Sequence, residues 1–115
     1  MSDDASQRLR SLCLTLPEAT EVVMSRGPSY RVEDKIFANA RSGDGRLSVW
    51  AKAPLGSQAM LLEADPARFF SPPYFGVKGW VGMRLDNDPD WDEVAAFVKP
   101  SYRLVAPKRL AALVR

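Results

Sequence analysis

The last stretch of this chain carries five cations and no acid. From Val94 to the C-terminus there is no Asp or Glu, while Lys99, Arg103, Lys108, Arg109 and Arg115 all fall there. Such residues grip phosphate oxygens, arginine through paired N–H bonds and lysine as a point charge. Arg31, Lys35, Arg41 and Arg46 add cations in the middle of the chain. The chemistry on offer is the holding of a polyanion, with phosphate contacts setting affinity and base readout modest or absent.

Other chemistries lack their residues. The chain has no histidine, which removes the usual general base near neutral pH and imidazole metal ligands. A single cysteine, Cys13, rules out an intrachain disulfide and makes a zinc site untenable. Asp86, Asp88 and Asp90 alternate as at the start of a calcium loop, but Trp91 stands where the sharp-turn glycine belongs and Phe97 where the bidentate glutamate belongs. The same acids fit a helix start, with Asp90 and Glu93 at capping-box spacing. "GVKG" (76–79) has the form of a nucleic-acid-binding GXXG loop, yet aromatic, proline-rich sequence precedes it and a strand follows, where two helices are needed. These absences point to a protein without catalytic residues, metal or cofactor.

The totals frame the rest. The 115 residues suffice for one domain, residues 1–115, and 46% apolar with 26% charged is ordinary for a globular protein. The net charge of +2 is too small to announce a nucleic-acid binder, so the case rests on distribution. No apolar run reaches membrane-span length and "MSDDASQRLR" lacks a signal-peptide core, so a cytoplasmic protein is expected.

Periodicity places these residues on elements. Asp4 to Leu14 reads as a helix, capped by Ser2, Asp3 or Asp4, with Leu9, Leu12, Cys13 and Leu16 on one stripe. "ATEVVM", "RGPSYRV", "IFANA" (36–40) and "LSVWAK" read as consecutive strands, with a hairpin tip at Glu33 to Lys35. Pro54 to Glu63 predicts a second helix, with Met60 and Leu61 or Leu62 facing the sheet, and "GWVGMRLD" a further strand. A third helix opens at Asp90. Pro100 should kink or restart it, and Pro107 opens a last helix with Leu110, Leu113 and Val114 buried. Trp50 lies between Arg46 and Lys52 at strand spacing. An outward Trp50 would suit stacking on bases, but tryptophan's usual burial favours the core, with Leu47 or Val49 outward. The pattern gives an α+β domain: an antiparallel sheet with helices packed on it.

Taken together, "LPEATE" (16–21), "GPSYRVEDKIFA" (27–38), the "DP" before "FF" (65–70), "PPYFGVKGWVGMRLD" (72–86), "DWDEV" (90–94) and "SYRLVAPKRLA" (101–111) resemble the MmcQ/YjbR family of small bacterial proteins. The resemblance spans nearly the whole chain. It implies a compact CyaY-like, or YjbR-like, fold with hairpins in a double-wing arrangement, and a DNA-binding role with no catalytic residues attached. The family pattern often has lysine where Ala51 stands and an aliphatic residue where Trp50 stands, which supports a core Trp50.

The reading that follows is a non-enzymatic monomer that grips double-stranded DNA, first through Arg103, Lys108 and Arg109, then through Arg31, Lys35 and Arg46. The alternative is a protein- or small-ligand-binding domain using the aromatic segment 69–80, with Phe69, Phe70, Tyr74, Phe75 and Trp80.

Overall fold

The computed structural model describes residues 2–43, 45–73 and 75–114, and the side chains of Ser2 and Asp3 fall outside the description. Tyr74, Arg115 and two of the candidate caps therefore lie outside the described residues. The elements in order are α1 (Ser2–Leu14), β1 (Thr20–Met24), β2 (Gly27–Val32), β3 (Lys35–Arg41), β4 (Ser48–Lys52), α2 (Ser57–Ala64) and β5 (Phe69–Phe70). A 3-10 turn (Gly76–Lys78), β6 (Trp80–Arg84), α3 (Trp91–Val105) and α4 (Lys108–Ala111) follow.

The strands form one sheet in the order β1-β2-β3-β4-β6-β5, with every neighbouring pair antiparallel. The first four form the expected meander. Two residues joined across an antiparallel ladder face the same way, and side chains alternate along each strand. Tyr30, Ala38, Val49, Ala51, Val81 and Met83 thus share one face and are buried in the core. α1 and α3 pack on that face, and α4 packs on α3. From α1, Leu9 and Cys13 are fully buried. Burial pushes the Cys13 thiol up, with Glu21 adding to it, so Cys13 is a small core hydrophobe.

Two local devices fix the sheet's geometry. Glu33 and Asp34 both have positive φ, 48° and 64°, the backbone of a tight two-residue hairpin turn. Then the register shifts: Tyr30 pairs with Ala38 but Arg31 with Ile36, leaving Phe37 as an extra residue. In such a bulge two residues oppose one. Phe37 is fully buried, edge-on to Tyr102 of α3 with ring centroids 5.3 Å apart.

Several expectations change. α3 runs unbroken through Pro100 from Trp91 to Val105, because Val94, Val98, Ser101 and Tyr102 bury one continuous stripe that outweighs the lost N–H bond. Asp90 caps it by accepting from the Asp92 N–H at 2.9 Å, whereas Glu93 turns away to pair with Arg68. Met60 and Leu113 are exposed; Leu61 and Leu62 pack on the core, and Leu110 and Val114 are buried. Trp50 is not in the core. Val49 occupies that side, and strand alternation sends Trp50 to the opposite face.

Candidate nucleic-acid interface

The face of the sheet away from the helices is the candidate site. One row runs straight across it through Val22, Ser29, Asn39, Trp50, Gly82 and Phe70, each paired with the next. On one side of the row stand Arg31 of β2 and Lys52 of β4. On the other stand Arg41 of β3 and Arg84 of β6, both paired with Ser48. Four adjacent strands each contribute one cation, and no strand position on this face is acidic.

Side-chain contacts hold these groups in place. The Arg41 guanidinium lies 5.8 Å from the centre of the half-buried Trp50 ring and donates to the Ala40 and Pro28 carbonyls at 2.8 and 3.3 Å. Burial, and then the charge of Arg26, lower the Arg41 pKa. Trp50 donates its indole N–H to Ser48 Oγ at 3.1 Å. The Arg84 guanidinium stacks 4.2 Å from the Phe70 ring centre, and Phe70 in turn covers Gly82 so closely that a Cβ there would fall inside the ring. Under this layer Ser29 Oγ donates to Asn39 Oδ1 at 2.8 Å, and both residues are fully buried. Asn39 Nδ2 and Arg31 Nε are buried donors with no hydrogen-bond partner among the described residues. The face thus presents positive charge and an aromatic edge, features that complement a phosphodiester chain, while those two donors lie buried beneath it.

The six residues singled out from the sequence do not meet. Only Arg31 lies on this face. Lys35 begins β3 beside the hairpin tip, paired with Val32. Arg46 precedes β4 and clasps Asp86 through two bonds, Nε to Oδ2 at 2.7 Å and Nη2 to Oδ1 at 3.2 Å, which holds the Asp86 carboxyl below the usual carboxylate range. Arg103, Lys108 and Arg109 belong to the helix layer. Arg109 is held between Glu18 at 3.2 Å and Glu33 at 3.4 Å, and Arg103 reaches the Val114 carbonyl at 3.5 Å. Lys108 is exposed and makes no ion pair among the described residues. Within the basic C-terminal run it is therefore Arg109 that fastens the last helix to the β1 approach and the β2–β3 tip.

The comparison that decides the family is a family-model match: the YjbR model covers residues 14–104, all six strands with α2 and all but the last residue of α3. The chain belongs to the YjbR family. The crystal structure of Deinococcus radiodurans protein DR2400, a DUF419 domain, is similar at a TM-score of 0.73 and 22% identity, covering 84% of this chain and 75% of that one. This likeness supports the α+β fold described above. No curated protein matches the chain.

Elsewhere in this YjbR domain the surface offers less. The aromatic segment 69–80 is pinned to the sheet by its own rings. Phe69 is buried against Phe97, and Phe75 packs between Trp50 at 5.9 Å and Trp80 at 5.2 Å. Gln58 of α2 ties the segment down by donating to the Gly76 and Trp80 carbonyls, both at 2.8 Å. None of its four described rings is fully exposed, which withholds support from a separate aromatic binding patch. A cleft of about 420 Å³ opens between α2, β5 and α3, with the Arg68–Glu93 pair among its lining residues. A groove of about 820 Å³ lies beside α1, where Arg8 stacks on Trp91 at 4.9 Å. Among the described residues no cluster of acids and cysteine could hold a metal, and no helix is long and apolar enough to cross a membrane.

The open face was missed because a strand's outward set is visible in sequence only when its register is known. The available signal was the period of two in "SVWAK", where Trp50 and Lys52 flank Ala51; tryptophan's average burial overrode it.

Proposed function

We propose that this YjbR domain is a non-enzymatic DNA-binding module of the cytoplasm that grips phosphates with the open face of its sheet. The observation that carries the reading is the sheet face whose strand positions hold no acid and on which Arg31, Arg41, Lys52 and Arg84 flank Trp50. Arginine at three of the four positions suits paired bonds to phosphate oxygens. Arg31, Lys35, Arg46, Arg103, Lys108 and Arg109 were the sequence's favoured contacts; of these, Arg31 stays central and the others become peripheral. A carboxylate pair already occupies Arg109, and Arg46 is occupied by Asp86.

The test is fluorescence anisotropy with random-sequence duplex DNA across a salt series. The log–log slope should be steep, near −0.9 per phosphate contacted. Arg31→Ala and Arg41→Ala should each flatten it by about one contact, while Lys108→Glu with Arg109→Glu should change it little. Absence of binding at low salt sinks the reading. Loss of binding only in the Lys108/Arg109 variant moves the site to the helix layer.

A further inference from the structure

The outer edge of β1 has little of the usual protection of a sheet edge: its one charge, the inward-facing Glu21, is already engaged by Arg10 and Tyr30. Strands at an edge expose unpaired N–H and C=O groups, and monomers blunt them with lysine, proline, bulges or brevity. The opposite edge, β5, is two residues long and flanked by Arg68. β1 is five residues, "TEVVM", with no lysine, arginine or proline, and its register with β2 is unbroken from Thr20 to Met24. It also exposes apolar side chains on both sheet faces: Val22 and Met24 are 40% and 45% exposed on the basic face, and Val23 is 78% exposed on the other.

We propose that this edge pairs with β1 of a second copy of the chain, antiparallel and centred on Val22. The segment is self-complementary in that register. Val22 meets Val22, Glu21 meets Val23, Thr20 meets Met24, and no two like charges stand opposite within the strand. Just beyond the strand ends the same register sets Arg26 of each copy against the Glu18 end of the other. Arg26 has no ion pair among the described residues and lies close enough to Arg41 to lower its pKa, so a partner's carboxylate relieves a repulsion present in the single chain.

The two-fold axis of such a pairing is normal to the sheet, as in any isologous antiparallel strand pair. Both copies then show the same face to the same side. The result is one twelve-stranded sheet whose central row runs through both Trp50 rings, with Arg31 and Arg41 of each copy on a single surface. The association itself does not depend on what that surface binds. Two five-residue strands bury a small area, so the dimer is of the weak, concentration-dependent class.

Sedimentation equilibrium from low micromolar to near-millimolar protein, without nucleic acid, tests this. The wild-type weight-average mass should climb from 12.8 kDa towards twice that value. Val22→Lys, which puts two ammonium groups face to face at the centre, should hold the protein at monomer mass. Leu55→Lys, at a fully exposed leucine away from β1, should associate like wild type. Because Cys13 is buried, Val22→Cys adds the accessible thiol; it should form a cross-linked dimer on mild oxidation, whereas Val77→Cys in the loop should not. A wild-type mass fixed at the monomer value, equal effects of Val22→Lys and Leu55→Lys, or equal cross-linking at 22 and 77 would overturn the proposal.

Discussion

Ser101 donates its hydroxyl to the Phe37 carbonyl at 2.7 Å, joining α3 to β3 at the bulge. The same oxygen accepts from the Lys52 N–H at 2.9 Å. One helix side chain thus satisfies a backbone group on each of two neighbouring strands where the ladder between them stops. Next to it Tyr102 is fully buried and donates to the Pro17 carbonyl at 2.7 Å. The "SYR" of the C-terminal segment is first a clamp between layers.

Ser101→Ala should therefore destabilise the fold by about 1–3 kcal/mol, because it strands a buried N–H and a buried C=O. Urea unfolding followed by far-UV circular dichroism measures it. A loss under about 0.5 kcal/mol would show that the clamp contributes nothing beyond an ordinary surface bond.

Gly82→Ala should also destabilise, by about 1–3 kcal/mol, since the new methyl group meets the Phe70 ring. The cost should shrink in a Phe70→Ala background. Equal costs in both backgrounds would place the strain elsewhere.

Asp34→Gly should raise the melting temperature. Asp34 sits at φ 64°, where glycine carries no Cβ penalty, and a gain of about 1 kcal/mol is expected. Its neighbour Glu33 should be left in place, because it holds Arg109.

The Asp86 carboxyl is depressed by Arg46, so its contribution to stability is complete above the unfolded pKa of about 3.9 and is lost as pH falls through the lower folded value. Asp86→Asn should lower the melting temperature slightly at neutral pH, and the gap to wild type should close below about pH 4. The pair is solvent-exposed, so the gap is small and shrinks with salt. A gap that persists unchanged into acid would exclude this origin.

Much of the fold was legible before any coordinates. α1 begins within two residues of its expected start, and the four-strand meander follows from apolar alternation and the Glu33-Asp34 turn, while the first turn falls at Ser25 and Arg26 and Gly27-Pro28 open β2. The candidate site was less legible, for a physical reason. A basic run in one helical segment is contiguous in sequence and catches the eye, but Arg109 spends its charge on Glu18 and Glu33, 91 and 76 residues away. The open face gathers Arg31, Arg41, Lys52 and Arg84 from four strands, and only pairing brings them together. Ion pairs of long sequence separation and strand register are tertiary facts, and composition carries neither.

The extra residue at Phe37 acts as a parity switch for β3. Downstream of it, odd-numbered Asn39 and Arg41 face the open side; upstream, even-numbered Ile36 does. Deleting Phe37 would leave a regularly alternating strand, with Ile36, Asn39 and Arg41 still on the open side and Ala38 and Ala40 still toward the helices, so the residue count changes while the faces do not. Comparisons of charge between relatives at this strand are meaningful only after the bulge has been counted. A variant library intended to repaint the open face has to track that count before it changes a single arginine.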